Sequence, residues 1–117
     1  MSSFRDLIVW QKGYKLSLLI YSLTKTFPKE ELFGMTSQIR RCAISIPSNI
    51  AEGHARKSKK EFAQFLYIAF GSGAELETQL QLSFDLNYIK ESDYRKTLSL
   101  LLEVMKMLNT LITKVNY

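Results

Sequence analysis

The sequence predicts an all-α protein, specifically an antiparallel up-down four-helix bundle. Its 117 residues include only 5 Gly and 2 Pro, which favours long helices over many short strands. Apolar residues recur at helical spacing in four separate stretches joined by short connections. With 46% apolar and 23% charged residues, a chain of this length is expected to form one globular domain, residues 1–117.

The first predicted helix covers about residues 7–26. Asp6 is a candidate N-cap because its carboxylate can accept a hydrogen bond from the first turn. The apolar positions that keep to one face are Val9, Leu16, Ile20, Leu23 and Phe27. Pro28 is expected to end the helix, since proline disfavours helical backbone at the residue before it.

The second predicted helix covers about residues 31–53 and contains a proline. Its apolar stripe steps by three or four residues through Leu32, Met35, Ile39, Cys42, Ile46 and Ile50. An interior proline costs about 3 kcal/mol, yet the stripe keeps its phase across Pro47. We therefore expect one helix kinked at Pro47, with Ser45 or Ser48 helping to satisfy the freed backbone groups. The alternative is two helices with a break at 45–47.

The third and fourth predicted helices cover about residues 58–86 and 91–115. Gly53 is expected to stop the second helix. Ser58 and Glu61 have the spacing of a capping box just before an apolar run, which starts the third. The fourth has three heptads of apolar a and d positions: Tyr94, Leu98, Leu101, Met105, Leu108, Ile112 and Val115.

Several function classes find no support in the sequence. The single Cys42 cannot form an internal disulfide and is expected to be buried, which suits a cytoplasmic protein. No secretory signal or membrane-spanning segment is expected. His54 is the only histidine, so neither a structural zinc site nor a nucleophile–histidine arrangement is predicted. We expect no enzyme, no catalytic residue, no cofactor and no metal, with His54 in a capping or exposed position.

Two glycines, Gly71 and Gly73, interrupt the third helix. No strand precedes them and no Lys-Ser or Lys-Thr follows, so the segment does not match a phosphate-binding loop. Each glycine costs roughly 1 kcal/mol in a helix interior. Close approach of another helix is the expected reason, with a ligand contact as the alternative.

Polar residues at helical spacing form a predicted seam between the second and third helices. A hairpin turning near Arg56 places Arg41 level with Gly71, one turn from Glu75, and Glu52 level with Lys60. We use the name polar seam for seven residues, Gln38, Arg41, Ser45, Asn49, Glu52, Glu75 and Gln79. It is expected to be structural, between helices or subunits, with a binding site as the alternative.

The net charge of +5 is confined to residues 40–60, which hold six basic residues and one acid, while the rest of the chain sums to zero. Basic side chains at the start of a helix indicate an anionic partner, because helix N-termini bind phosphate. The predicted nucleic-acid-binding residues are Arg40, Arg56, Lys57, Lys59 and Lys60. Without aromatic residues in this corner, binding should read charge or shape more than sequence. The alternative is a solvated turn.

Two segments, "SQIRRCAISIPSNIAEG" and "GSGAELETQ", resemble the 23S rRNA intervening-sequence protein family of bacteria, and the resemblance extends over nearly the whole chain. The matching positions are Gln38, Arg40, Arg41, Ser45, Pro47, Asn49, Glu52, Gly53, Glu75, Glu77, Thr78 and Gln79. The resemblance implies an up-down four-helix bundle without an established catalytic residue. It also implies a homopentameric ring, similar to the accessory variability determinant of diversity-generating retroelements, which binds nucleic acid and reverse transcriptase.

Two hypotheses about function follow. In the first, a small oligomeric bundle binds the RNA or DNA backbone through its basic corner. In the second, the chain is a protein–protein scaffold that does not bind nucleic acid, with Tyr14, Tyr21, Tyr67 and Phe70 available for subunit contacts.

Overall fold

The computed structural model describes residues 3–116 and contains four long α-helices. They are α1 (Ile8–Thr24), α2 (Met35–Ala55), α3 (Lys59–Asp85) and α4 (Glu91–Asn116). Two short 3-10 helices, Phe4–Asp6 and Lys29–Glu31, precede α1 and α2. The described part has no strand, which confirms the prediction of an all-α four-helix protein.

The helices run up and down in chain order, each packed on its sequence neighbour, and α4 returns to pack on α1. The bundle measures 43 × 24 × 20 Å. Burial follows most of the predicted stripes, but Leu32 is exposed, and in α4 Val104 is fully buried whereas Met105 is only half-buried. The largest fully buried side chains are Leu16, Ile20, Ile39, Ile46, Ile50, Leu66, Leu76, Leu80, Leu101, Val104 and Leu108. Removing these side chains from water is the main stabilising contribution to the fold.

The helix ends show two departures from the sequence-based expectations for α1 and α2. Asp6 lies inside the first 3-10 helix, so it does not cap α1, whose N-cap is Leu7. The second helix begins at Met35 rather than near residue 31, because Gly34 leaves helical geometry (φ −112°, ψ −113°). The Glu31 carboxylate accepts a hydrogen bond from the Met35 N–H (3.0 Å) and thereby caps α2 from the preceding turn.

Helix α2 continues through Pro47, as expected, but a different residue satisfies the freed backbone group. Pro47 has no N–H to donate to the Ala43 carbonyl four residues earlier. The buried hydroxyl of Ser17, on α1, lies 3.0 Å from that carbonyl oxygen and can donate to it, although it also lies 3.1 Å from the Gly13 carbonyl oxygen of its own helix. Neither Ser45 nor Ser48 donates to it. A contact between helices thus supplies the hydrogen bond that the sequence of α2 lacks.

The α2–α3 hairpin is closed by Gly53, which does not end α2. The helix runs two residues further, and Gly53 is buried against α3. A Cβ at this position would lie 2.7 Å from Phe65 Cβ and 3.2 Å from the Phe62 carbonyl oxygen. Glycine is needed here because two helices meet closely.

The glycine pair in α3 divides between two environments. Gly73 is buried, and a Cβ there would overlap the Met105 side chain of α4, so this glycine makes room for a neighbouring helix's side chain. Gly71 is exposed, and a Cβ there would meet no atom within 4 Å in the described chain. Packing within one bundle therefore explains Gly73 and leaves Gly71 without a reason.

Candidate nucleic-acid interface and polar seam

The basic corner, residues 56–60, connects α2 to α3 at one end of the bundle. Its geometry is set by Ser58, whose side chain accepts a hydrogen bond from the Glu61 N–H (3.1 Å). This confirms the predicted N-cap of the third helix. The cap fixes the first turn of α3, so Lys59 and Lys60 are held on that turn rather than on a flexible loop.

Arg56 is largely engaged by the protein itself. One guanidinium nitrogen lies 2.8 Å from a Glu52 oxygen and the other lies 3.9 Å from Glu61. The guanidinium also lies 4.9 Å above the Phe65 ring. Two carboxylates neutralise its charge locally, so Arg56 holds the corner together more than it attracts a ligand.

Three lysines at the corner, Lys57, Lys59 and Lys60, are exposed. Within residues 3–116, no carboxylate lies within 4.0 Å of their ammonium groups. Lys59 and Lys60 also occupy the N-terminal turn of α3, where backbone N–H groups and the helix dipole favour an anion. The three lysines thus form a compact site of positive charge facing solvent.

The fifth predicted nucleic-acid-binding residue, Arg40, lies away from this corner. It is sixteen positions before Arg56 on the same helix, which corresponds to about 24 Å along the axis. Its Nε donates to the Thr24 hydroxyl (2.8 Å), and its guanidinium lies 4.7 Å above the Tyr21 ring. Arg40 therefore joins α2 to α1 rather than adding to the corner.

Part of the polar seam forms an open cavity of about 470 Å³ between α2 and α3, lined by Gln38, Arg41, Cys42, Ser45, Ser72 and Glu75. The hydroxyls of Ser45 and Ser72 are 2.8 Å apart, and the Asn49 amide donates to Ser45 Oγ (2.9 Å). Arg41 and Glu75 both face solvent without an ion pair in the described chain. Glu52, the remaining acid of the seam, pairs with Arg56 and not with Lys60.

Two groups near this cavity are buried: the Cys42 thiol and the side-chain oxygen of Gln79. Burial, followed by the charge of Glu75, raises the pKa of the Cys42 thiol. A protonated, buried thiol behaves as a small hydrophobe, which confirms the predicted burial of Cys42. The Gln79 side-chain oxygen is buried and accepts no hydrogen bond from any residue between 3 and 116.

The only histidine of the sequence packs against an aromatic side chain of α3. His54 is half-buried in the last turn of α2, with its ring edge against Phe62 (5.9 Å between centroids). In the described part of the chain, no three His, Cys, Asp or Glu side chains gather as metal ligands. Over the same residues, no helix is both long and apolar enough to cross a membrane.

A second basic surface appears that the local charge count did not reveal. Lysines of α1 and α4, far apart in sequence, border the same groove on the side of the bundle opposite the polar seam: Lys12, Lys15, Lys96, Lys106 and Lys114. Helical spacing of the lysines along the two outer helices was the available signal. Counting charge along the sequence misses it because α1 and α4 carry net charges of only +2 and +1 and lie far apart in the chain.

The fold defines a class, the small antiparallel four-helix bundle. The family model of the 23S rRNA-intervening sequence protein matches residues 5–110. The chain therefore belongs to the 23S rRNA-intervening sequence protein family, as the resemblance of its motifs indicates.

Among solved structures, the chain is similar to a protein of unknown function from the S23 ribosomal protein family of Bacteroides thetaiotaomicron. The two are 30% identical, with a TM-score of 0.84, and the match covers 91% of this chain and 96% of the other. The comparison with curated proteins gave no match. The similarity supports the bundle fold and carries no assigned activity.

Proposed function

We propose that the protein is a non-enzymatic, self-assembling helical bundle that binds the backbone of RNA or DNA through its basic corner. One observation supports the binding role most directly. Lys57, Lys59 and Lys60 are exposed and free of carboxylate partners, while the neighbouring Arg56 is held by Glu52 and Glu61. Such a site offers charge without a pattern of donors for base edges, so it fits phosphates rather than a sequence.

Self-assembly is proposed from the outward face of α2 and α3. Two large apolar side chains, Ile68 and Leu82, are exposed on this face of α3, while Ile44 is exposed towards α1 and Tyr67 towards α4. Gly71 lies on α3 with open space beside it, which would let another chain approach closely. Arg41 and Glu75, unpaired within the described chain, could pair across such an interface. A homo-oligomer, and a pentamer in particular, would repeat the basic corner several times around one assembly.

The binding role is tested by measuring the affinity for an RNA duplex of about 20 base pairs at several salt concentrations. Each phosphate contact adds about 0.9 to the slope of log affinity against log salt. Changing Lys57, Lys59 and Lys60 together to Gln should therefore flatten the slope by about 2.7 per bound chain. Duplex DNA, measured in parallel, should show the same dependence.

The matched control changes three lysines elsewhere, Lys15, Lys96 and Lys106, to Gln. This control removes the same charge but leaves the corner intact, so its salt slope should stay near that of the unmodified protein. Absence of binding at low salt would sink the proposal, as would equal flattening in both variants.

The competing function is a protein–protein scaffold without nucleic-acid binding, and the same exposed apolar face favours it. Sedimentation of the full chain distinguishes assembly from a monomer. A mass five times that of the chain fits a pentameric ring, and Ile68→Glu on the exposed face should lower it. A stable monomer at all concentrations contradicts the proposed assembly and the scaffold alike.

A further inference from the structure

The groove between α1 and α4 is open to solvent along most of the bundle. Three cavities of about 320, 430 and 550 Å³ lie in order along it, from Leu7 and Lys114 at one end to Thr26 and Tyr88 at the other. The second and third share Leu19 and Lys96, and the Lys12–Glu103 ion pair lies between the first and the second. The segment of α4 that borders the cavities corresponds to about 36 Å of helix. This length accommodates several turns of another helix.

The floor of the α1–α4 groove is apolar. It consists of half-buried side chains from both helices: Leu19, Leu23, Leu100, Met107 and Leu111. Ile8, which lines the groove, is 52% exposed, and Leu18, at its border, is 59% exposed. Covering an apolar strip of this kind with another apolar surface is favourable, because it removes both surfaces from water.

The borders of the groove are basic. Six lysines stand along it, Lys12, Lys15, Lys90, Lys96, Lys106 and Lys114, against two acids, Asp93 and Glu103, for a net charge of +4. Lys12 binds Glu103 across the groove (2.6 Å). The other five lysines have no carboxylate within 4.0 Å among residues 3–116.

We propose that this groove binds an amphipathic helix of another protein whose apolar face is flanked by Asp and Glu. The apolar floor would receive side chains at i, i+3, i+4 and i+7 of that helix, the usual way in which a helix lies in a groove. The lysine borders would pair with the flanking acids and set its register. The site is separate from the basic corner and does not depend on nucleic-acid binding there.

Charge complementarity selects this occupant over two others. Two copies facing each other groove to groove would oppose +4 with +4, and like charges across an interface are repulsive. A nucleic-acid backbone would satisfy the lysines but leave Leu18, Leu19 and Met107 against polar phosphates and sugars. A second copy that placed its α2–α3 face on the groove would bring Arg41 as well as Glu75 to the lysines, so it would not supply an apolar strip flanked by acids. Of these occupants, only a ligand that combines acids with an apolar strip matches both the floor and the borders.

The test uses the full-length protein and a labelled helical peptide of about 18 residues, five turns. The peptide carries Leu along one face and Glu on both flanks, and fluorescence anisotropy measures its binding. Two control peptides replace every Glu by Lys, or every Leu by Ser. The acidic peptide with Leu should bind, and each control should bind at least tenfold more weakly.

Two protein variants with the same change in charge locate the site. The groove variant combines Lys15→Glu, Lys96→Glu and Lys106→Glu, all at exposed positions, so folding should be retained and is checked by circular dichroism. The corner variant combines Lys57→Glu, Lys59→Glu and Lys60→Glu. The groove variant should lose at least tenfold in peptide affinity, whereas the corner variant should stay within about twofold.

Several results would overturn the inference. The proposal fails if the Lys peptide binds as well as the Glu peptide, or if both protein variants weaken binding equally. Displacement of the peptide by RNA duplex would show that the groove is a nucleic-acid site. A fall in the protein's mass on peptide binding would show that a second copy normally covers the groove. RNA binding by the corner can succeed or fail independently of each outcome.

Discussion

The basic corner and the α1–α4 groove both present lysine to solvent, but they are built differently. At the corner, four basic residues lie within five positions of the chain, and Glu52 and Glu61 cancel part of their charge through Arg56. The net charge there is +2, on a polar turn. Along the groove the net charge is +4, and the lysines border an apolar floor.

The difference teaches that charge density along the sequence is a poor measure of charge at a surface. The basic residues of a local cluster can be neutralised by acidic residues nearby in the chain, because side chains at i,i+3 and i,i+4 are neighbours on a helix. Along the groove only Lys12 is neutralised in this way, by Glu103 on the facing helix, and the other five lysines have no carboxylate within 4.0 Å among residues 3–116. The chemistry of the surrounding surface then separates a site suited to phosphate from one suited to an acidic helix.

The largest expected effect concerns the helix contact that holds the corner in place. In Gly53→Ala, the new Cβ would lie within 3.2 Å of the Phe62 carbonyl oxygen, which cannot move without shifting α3. Overpacking costs about 1–3 kcal/mol, and we expect a net loss of about 2 kcal/mol in the free energy of unfolding. Urea denaturation measures it.

The matched control for this substitution is Gly71→Ala, on an exposed part of α3. Because nothing lies within 4 Å of the new methyl group, better helix propensity should stabilise the isolated bundle by about 1 kcal/mol. Equal effects of the two substitutions would contradict the close α2–α3 contact at Gly53. Stabilisation in a monomer combined with weaker assembly would support Gly71 as part of a subunit interface.

A second prediction separates Arg56 from Lys57 within the corner. Lys57→Gln should weaken binding to RNA duplex about fivefold at 0.15 M salt, since it removes one phosphate contact. Arg56→Gln combined with Glu52→Gln removes an ion pair without changing the net charge of the corner, so binding should change by less than about twofold. A larger effect of this double substitution than of Lys57→Gln would mean that the arginine leaves its carboxylates to bind RNA.

The N-cap of α3 provides a smaller effect that is specific to the corner. In Ser58→Ala, the Glu61 N–H loses its acceptor, and stability should fall by about 1 kcal/mol. RNA binding should weaken as the first turn of α3 frays, while peptide binding in the α1–α4 groove stays unchanged. Hydrogen exchange at the amides of residues 59–61 measures the fraying, and unchanged protection there would contradict the role of Ser58.

The smallest expected effect lies at the salt bridge across the groove. Glu103→Gln removes a partner of Lys12, and because both side chains are partly exposed, stability should change by less than about 1 kcal/mol. The freed lysine should strengthen binding of the acidic peptide about threefold. Weaker peptide binding in this variant would show that the bridge shapes the groove.

Much of the fold could be predicted from the sequence, because most apolar residues that recur at helical spacing become buried when the helices pack. The apolar stripe of α4 and the cap at Ser58 depend on residues a few positions apart, so both could be predicted. The partner of the Ala43 carbonyl could not, since Ser17 belongs to another helix. The prediction that Gly53 ends α2 is wrong for the same reason. A glycine near a helix end is usually a C-terminal stop, and only the positions of Phe62 and Phe65 on α3 show that this glycine allows two helices to meet closely.

The candidate site was predictable only in its local part. Residues 56–60 could be assigned to one corner from the break between two periodic stretches. The neutralisation of Arg56, the separation of Arg40 and the gathering of lysines along α1 and α4 all depend on how helices are placed. The net charge of a surface can therefore be predicted from the sequence within one helical turn, but not where residues of different helices come together.

The most direct test of the account measures both ligands on both charge variants in one crossed experiment. The corner variant Lys57→Glu, Lys59→Glu, Lys60→Glu and the groove variant Lys15→Glu, Lys96→Glu, Lys106→Glu are each titrated with RNA duplex and with the acidic peptide. The account predicts a crossover, in which the corner variant loses RNA binding and keeps the peptide, and the groove variant does the reverse. Parallel losses of both ligands in both variants would contradict it, because the lysines would then act only through overall charge.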